Sequence, residues 1–142
     1  MITDTELERF ARRGLLIRAK ADVALLALVP KDNIDPDGVK PWPIIMIENP
    51  RMLPRWMSCA IGSDIAMDVH AFAGPKANMT GRQHISAIGK AIQTTFAPNN
   101  LTLEDDSACK ISWSDVRILK DEDPDHFHWF GQLNCRVLKA VA

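Results

Sequence analysis

Seven side chains are the first candidates for chemistry: His70, His84, His126 and His128, and Cys59, Cys109 and Cys135. His126 and His128 stand two apart in a segment that reads as strand, so their side chains share a face. Together with Asp68, His70 and the Asp121–Asp125 cluster they make a candidate ligand set, because imidazole and carboxylate suit zinc and related ions. A small metal-dependent enzyme using His126, His128 and the nearby aspartates is therefore one reading to weigh. Against it, same-face spacing alone does not make ligands converge. Asp68 and His70 also read as the solvent side of their strand. A cysteine nucleophile needs a neighbouring histidine base. Cys135 falls on the apolar face of the last strand and Cys109 opens the one before it, so both read as small buried hydrophobes. Three cysteines without a C-x-x-C pair form neither a disulfide framework nor a structural zinc site, which points to reduced thiols in or near a core. The sequence contains no G-x-S-x-G, Walker A, G-x-G-x-x-G or H-E-x-x-H motif, and Gly74-Pro75-Lys76 reads as an ordinary turn.

Composition narrows the classes further. A length of 142 residues suggests one domain over 1–142, with 1–14 as an N-terminal helical arm. Hydrophobic residues at 46% and charged residues at 25% exclude a disordered chain. Seventeen Lys and Arg against 18 Asp and Glu give a formal charge of -1, without the basic excess of a dedicated nucleic-acid binder. Arg9, Arg12, Arg13 and Arg18 share their segment with Glu6, Glu8 and Asp22, so they read as a solvated or subunit-facing surface. The longest apolar run is Val23 to Val29, far short of the roughly 20 residues of a membrane span. The opening residues lack the basic and apolar regions of a signal peptide.

The elements that would position these residues follow from periodicity. Thr3 and Glu6 have capping-box spacing. Leu7, Phe10, Gly14, Ile17, Ala21, Ala24 and Leu28 then make one face of a helix that Pro30 ends, with Gly14 as its weak point. Residues 30–43 are rich in Pro, Asp, Asn and Gly and predict a loop. Pro41-Trp42-Pro43 leads into a short strand, Ile44 to Ile47, and Asn49 to Met57 reads as a connection. Alternation predicts a strand over 58–72. Asn78 or Thr80, the latter with Gln83 three residues on, can cap a second helix with Ile85, Ile88, Ile92 and Phe96 on its apolar stripe. Two strands close the chain, about 109–120 with a bulge near Ser114-Asp115, and about 127–141. In the latter, Phe127, Trp129, Gly131, Leu133, Cys135 and Val137 share a face. The prediction is an α+β domain: a mostly antiparallel sheet of about four strands, two helices on one face, order α-β-β-α-β-β.

Trp42, Met52, Leu53, Trp56 and Met57 are large apolar residues in proline-rich sequence, and Trp and Met are enriched where proteins meet partners. They form a candidate subunit or partner interface. Asp121, Glu122, Asp123 and Asp125 form a candidate acidic loop.

The layout resembles the bacteriophage tail-completion family over roughly Leu15 to Ala140. It shares a leading helix ending near Leu28-Val29-Pro30, the proline-introduced strand Trp42-Pro43-Ile44-Ile45-Met46-Ile47, and the strand Asp64 to Phe72. That strand runs through Gly74 into the Arg82–Phe96 helix, and two final strands follow. It is similar in layout to tail-terminator and tail-to-head joining proteins. The resemblance implies a structural virion component, not an enzyme, with no cofactor and no metal, assembled in the host bacterial cytoplasm. Its implied partners are copies of itself in a ring, commonly a hexamer, the tail tube protein and the head–tail connector protein. DNA would pass through the lumen, which near-neutral charge suits, and no membrane is involved. A bacterial adaptor domain of the same fold is a further reading.

Overall fold

The computed structural model describes residues 3–56, 59–96 and 100–140. Helix α1 spans Asp4–Ala21, opened by Thr3, whose hydroxyl accepts the Glu6 N–H at 3.3 Å. It runs unbroken through Gly14, which leans on Leu101 and Leu103. Asp22 ends it, and the Asp22 carboxylate accepts the Leu25 N–H to start a short helix, α2, at Val23–Leu26. The buried stripe is Leu7, Ala11, Leu15 and Ala19. That corrects the expected face: Ile17 is 61% exposed, and Ala21 and Ala24 are also exposed. The chosen stripe has i, i+4 spacing with two alanines, which lets the helix lie close to the sheet. The residues before Gly14 are seated in the core, since Leu7 and Ala11 are fully buried.

Strand β1 covers Ile44–Trp56, β2 Ala60–Ala73, β3 Asn100–Thr102, β4 Ala108–Lys120 and β5 Phe127–Ala140. The sheet is antiparallel with order β1-β2-β5-β4-β3. Two differences from the sequence reading stand out. Asn49 to Trp56 is strand, not a connection, and a fifth strand precedes β4. β1 tolerates Pro50 and Pro54 because it is an edge strand, where a residue without an N–H need break no bond to a second neighbouring strand. A bulge absorbs a register shift between Glu48 and Arg51, where Asn49 takes φ 55°. The bulge expected in β4 is present, with the register shifting between Ser114 and Arg117 and Asp115 at φ 53°.

Helix α3, Gly81–Thr95, carries the expected capping box between Thr80 and Gln83 and buries Ile85, Ile88 and Ile92, with Phe96 beyond its end. α1 and α3 lie on the same face of the sheet, over β2 and β5, and α1 also touches β1. That face supplies the core: Ile65, Met67 and Val69 from β2, Ile111 from β4, and Trp129, Leu133 and Val137 from β5. Gly89 lets α3 close on the sheet, since a Cβ there would overlap the Trp129 indole. Cys109 and Cys135 are buried in the core as expected, whereas Cys59 is exposed.

Candidate assembly interface

The sheet face away from the helices is where the remaining polar and aromatic residues gather. Pairing across β1, β2, β5 and β4 places Met46, His70, Phe130 and Arg117 in one row, and Leu53, Asp64, Arg136 and Lys110 in another. The period-two alternation of β2 thus puts Asp64, Asp68, His70 and Phe72 outside, while Ile65, Met67 and Val69 go inside.

One end of this face is aromatic. Trp42 sits on Phe72 at 5.1 Å between ring centroids and on His126 at 5.6 Å, leaving 39% of it exposed. Asn33 anchors the segment, its side-chain amide donating to the carbonyls of Pro41 and Pro43. Phe72 stacks on His128 at 4.3 Å, and His128 stacks on His70 at 4.9 Å. Nδ1 of His70 lies 2.7 Å from Nε2 of His128, so one ring donates and the other accepts. Burial, then the nearby His70, hold the His128 pKa below its ordinary value, against the opposing pull of Asp121. His126 lies in the turn before β5 and contacts the Pro124 carbonyl. The two histidines expected to act together therefore have different partners. Among the described residues no three His, Cys, Asp or Glu side chains converge as a metal-ligand set.

The other end is charged. Asp64 takes hydrogen bonds from both Arg55 and Arg136, and Arg51 bridges Asp68 at 3.1 Å. Burial works against ionisation of these two aspartates, but the arginine hydrogen bonds win and keep both pKa values below the carboxylate norm. Lys110 stands opposite Arg136 and makes no ion pair among the described residues. An open groove of about 590 Å³ runs between these groups, lined by Arg51, Met52, Leu53, Lys110 and Arg136 among others. Met52 is 37% exposed and Leu53 60%.

The candidate interface residues thus fall into two groups. Trp42 belongs to the aromatic end, and Met52 and Leu53 to the charged end. The Trp56 side chain and Met57 lie outside the described residues. The acidic tip lies between β4 and β5. Its Asp125 carboxylate is engaged inside the chain, accepting the Gly81 N–H at 3.0 Å and holding the start of α3. Gly81 must lack a side chain here, because a Cβ would overlap the Asp125 carbonyl oxygen. Glu122 and Asp123 are exposed. Sequence reading missed three more exposed apolar residues near the end of β4, each more than a third exposed: Val116 and Ile118 border the α3 side beside Gly89 and Trp129, and Leu119 stands opposite His128 on the outer face. The signal lies in the apolar residues that follow the bulge.

The edges of the sheet differ. On β1, the Ile45 carbonyl accepts the Asp35 N–H, the Ile47 N–H donates to the Asp35 carboxylate, and the Ile47 carbonyl accepts from Arg12 at 2.9 Å. Arg12 also pairs with Asp35. On the opposite edge, β3 covers only Ala108–Lys110 of β4, leaving the outer side of the remainder open among the described residues.

No curated protein matches this sequence. Among solved structures, a chain in the virion of a native gene transfer agent particle has the same fold. Its TM-score is 0.73 at 13% identity, with 93% of this chain and 97% of that chain covered. The family model described as Tail completion protein gp17 matches residues 13–138. That span takes in every strand of the sheet but the last two residues of β5, and both faces described above, so the chain belongs to the tail completion protein gp17 family.

Proposed function

We propose that this protein is the repeating subunit of an oligomeric ring that caps the tail tube of a phage, prophage or phage-like particle and joins it to the head. Membership in a tail completion family makes it a structural component of a phage-like tail, and the match over 13–138 carries the reading. The shared fold with a gene transfer agent virion chain supports a place in the virion. Its partners in this role are further copies, commonly six, the tail tube protein and the head–tail connector protein, with DNA passing through the lumen unheld. The role is structural and needs no cofactor.

Surface distribution supports a ring. A closed ring uses a heterologous interface, in which two unlike patches on each subunit meet. Met52 and Leu53 lie on β1 beside the start of β2, and Val116, Ile118 and Leu119 lie on β4 beside the start of β5. These are diagonal corners of one sheet. Size-exclusion chromatography with light scattering tests the reading, together with co-sedimentation on tails lacking this subunit. A discrete ring that binds the tails is expected. A strict monomer at high concentration that leaves the tails unbound would overturn it.

A further inference from the structure

We infer that the β4–β5 hairpin end of one copy, carrying Leu119, Glu122 and Asp123, docks in the Leu53–Lys110–Arg136 groove of a second copy. The inference deepens the ring reading by naming the contact, and it rests on that reading.

The groove holds an uncompensated positive charge. Arg55 and Arg136 share the single carboxylate of Asp64, and Lys110 lies directly across from Arg136. Like charges placed opposite each other on neighbouring strands repel. That arrangement is relieved by an anionic partner from outside. The hairpin end supplies the complement. Glu122 and Asp123 are exposed and make no ion pair among the described residues. Leu119 next to them is 44% exposed, matching the apolar flank that Leu53 gives the groove. Apolar contact and charge are thus paired on both surfaces.

The contact cannot form within one chain. From Phe127, at the hairpin end of β5, to Arg136 is nine strand steps, and at about 3.3 Å each these span about 30 Å. The occupant is therefore a second copy. Because the two surfaces are unlike, the contact is head-to-tail and repeats around a ring. The β1 edge does not offer an alternative route by strand pairing, since Asp35 and Arg12 occupy it at Ile45 and Ile47 and Pro50 and Pro54 interrupt it beyond.

The test uses full-length chains and sedimentation velocity at low and high salt. A tip variant carries Glu122→Lys and Asp123→Lys, and a groove variant carries Lys110→Glu and Arg136→Gln. Asp64 keeps Arg55 in the latter, and circular dichroism checks that each variant folds. Each variant alone is expected to weaken self-association by about tenfold or more. Mixing the two, or combining all four substitutions in one chain, is expected to restore it, which no folding defect would produce. If the unaltered chain assembles and both variants assemble equally well, the contact is wrong while the ring reading stands. If both variants weaken association and neither mixture nor combination restores it, the contact is likewise wrong. If the unaltered chain forms no assembly with itself or on tails, the ring reading fails and takes the contact with it.

Discussion

At Gly89 a single carbon decides how closely α3 can approach β5. Alanine is the better helix former there by about 1 kcal/mol. Its Cβ, however, would overlap the Trp129 indole, which is itself held edge-on by Trp113 at 5.5 Å. Overpacking of this kind costs about 1–3 kcal/mol, so Gly89→Ala should lower the urea midpoint of unfolding. Gly38 has no atom near the position of an added Cβ, so Gly38→Ala should leave the midpoint almost unchanged and serves as the control. The His70–His128 pair makes a second prediction at this scale. Burial and the neighbouring His70 hold His128 below its ordinary pKa. The unfolded chain therefore takes up a proton first, at about pH 6.5. Stability from the neutral His128 is complete above that pH and is lost as pH falls through it toward the lower folded value. Thermal unfolding between pH 7.5 and about 5 should show this fall. His128→Gln should flatten it, and an unaltered slope in that variant would count against the assignment.

At the scale of elements, the alternating strands and the capped helix were legible because their signals are local. The Ile65–Met67–Val69 alternation and the Thr80–Gln83 box each need only a few residues to be recognised. The misread elements depended on distant neighbours. Whether β1 ends at Ile47 or runs to Trp56 turns on its place at the sheet edge, where Pro50 and Pro54 do no harm, and edge position is not written in the segment itself. The buried face of α1 departs from the expected one after Leu7, running through Ala11, Leu15 and Ala19, because it is selected by packing on strands and a helix far along the chain. β3, at three residues, is too short to show a period. The candidate interface suffered in the same way. Its residues were recognised by type, but their division between two ends of the sheet depends on register. Arg12 also carries the element-scale prediction. Arg12→Met keeps the apolar stem but leaves the Ile47 carbonyl and the Asp35 carboxylate without their partner. A loss of about 1–3 kcal/mol is expected on thermal unfolding. Light scattering should show more aggregation, because the Ile47 carbonyl on the β1 edge is then free to meet other strands.

Across the whole molecule, the order β1-β2-β5-β4-β3 puts the two central strands far apart in sequence and fully paired on both sides. β2 and β5 should therefore exchange their amide hydrogens most slowly, near the limit set by global unfolding. β4 should divide residue by residue. In an antiparallel edge strand, successive N–H groups point alternately to the partner strand and away from it. From Ile111 to Lys120 the inward set is held by β5 and the outward set meets no strand among the described residues. Exchange of the free chain, resolved by nuclear magnetic resonance, should thus alternate slow and fast along this segment. Ring assembly through the hairpin end would then slow exchange around Leu119 to Asp123 and at Leu53, while leaving β2 and β5 where they were, since those strands are already protected. Uniform slowing over the whole chain would instead report a general gain in stability. Slowing confined to the β1 edge would place the neighbour on the side that Asp35 and Arg12 close, and would contradict the docking of the hairpin end.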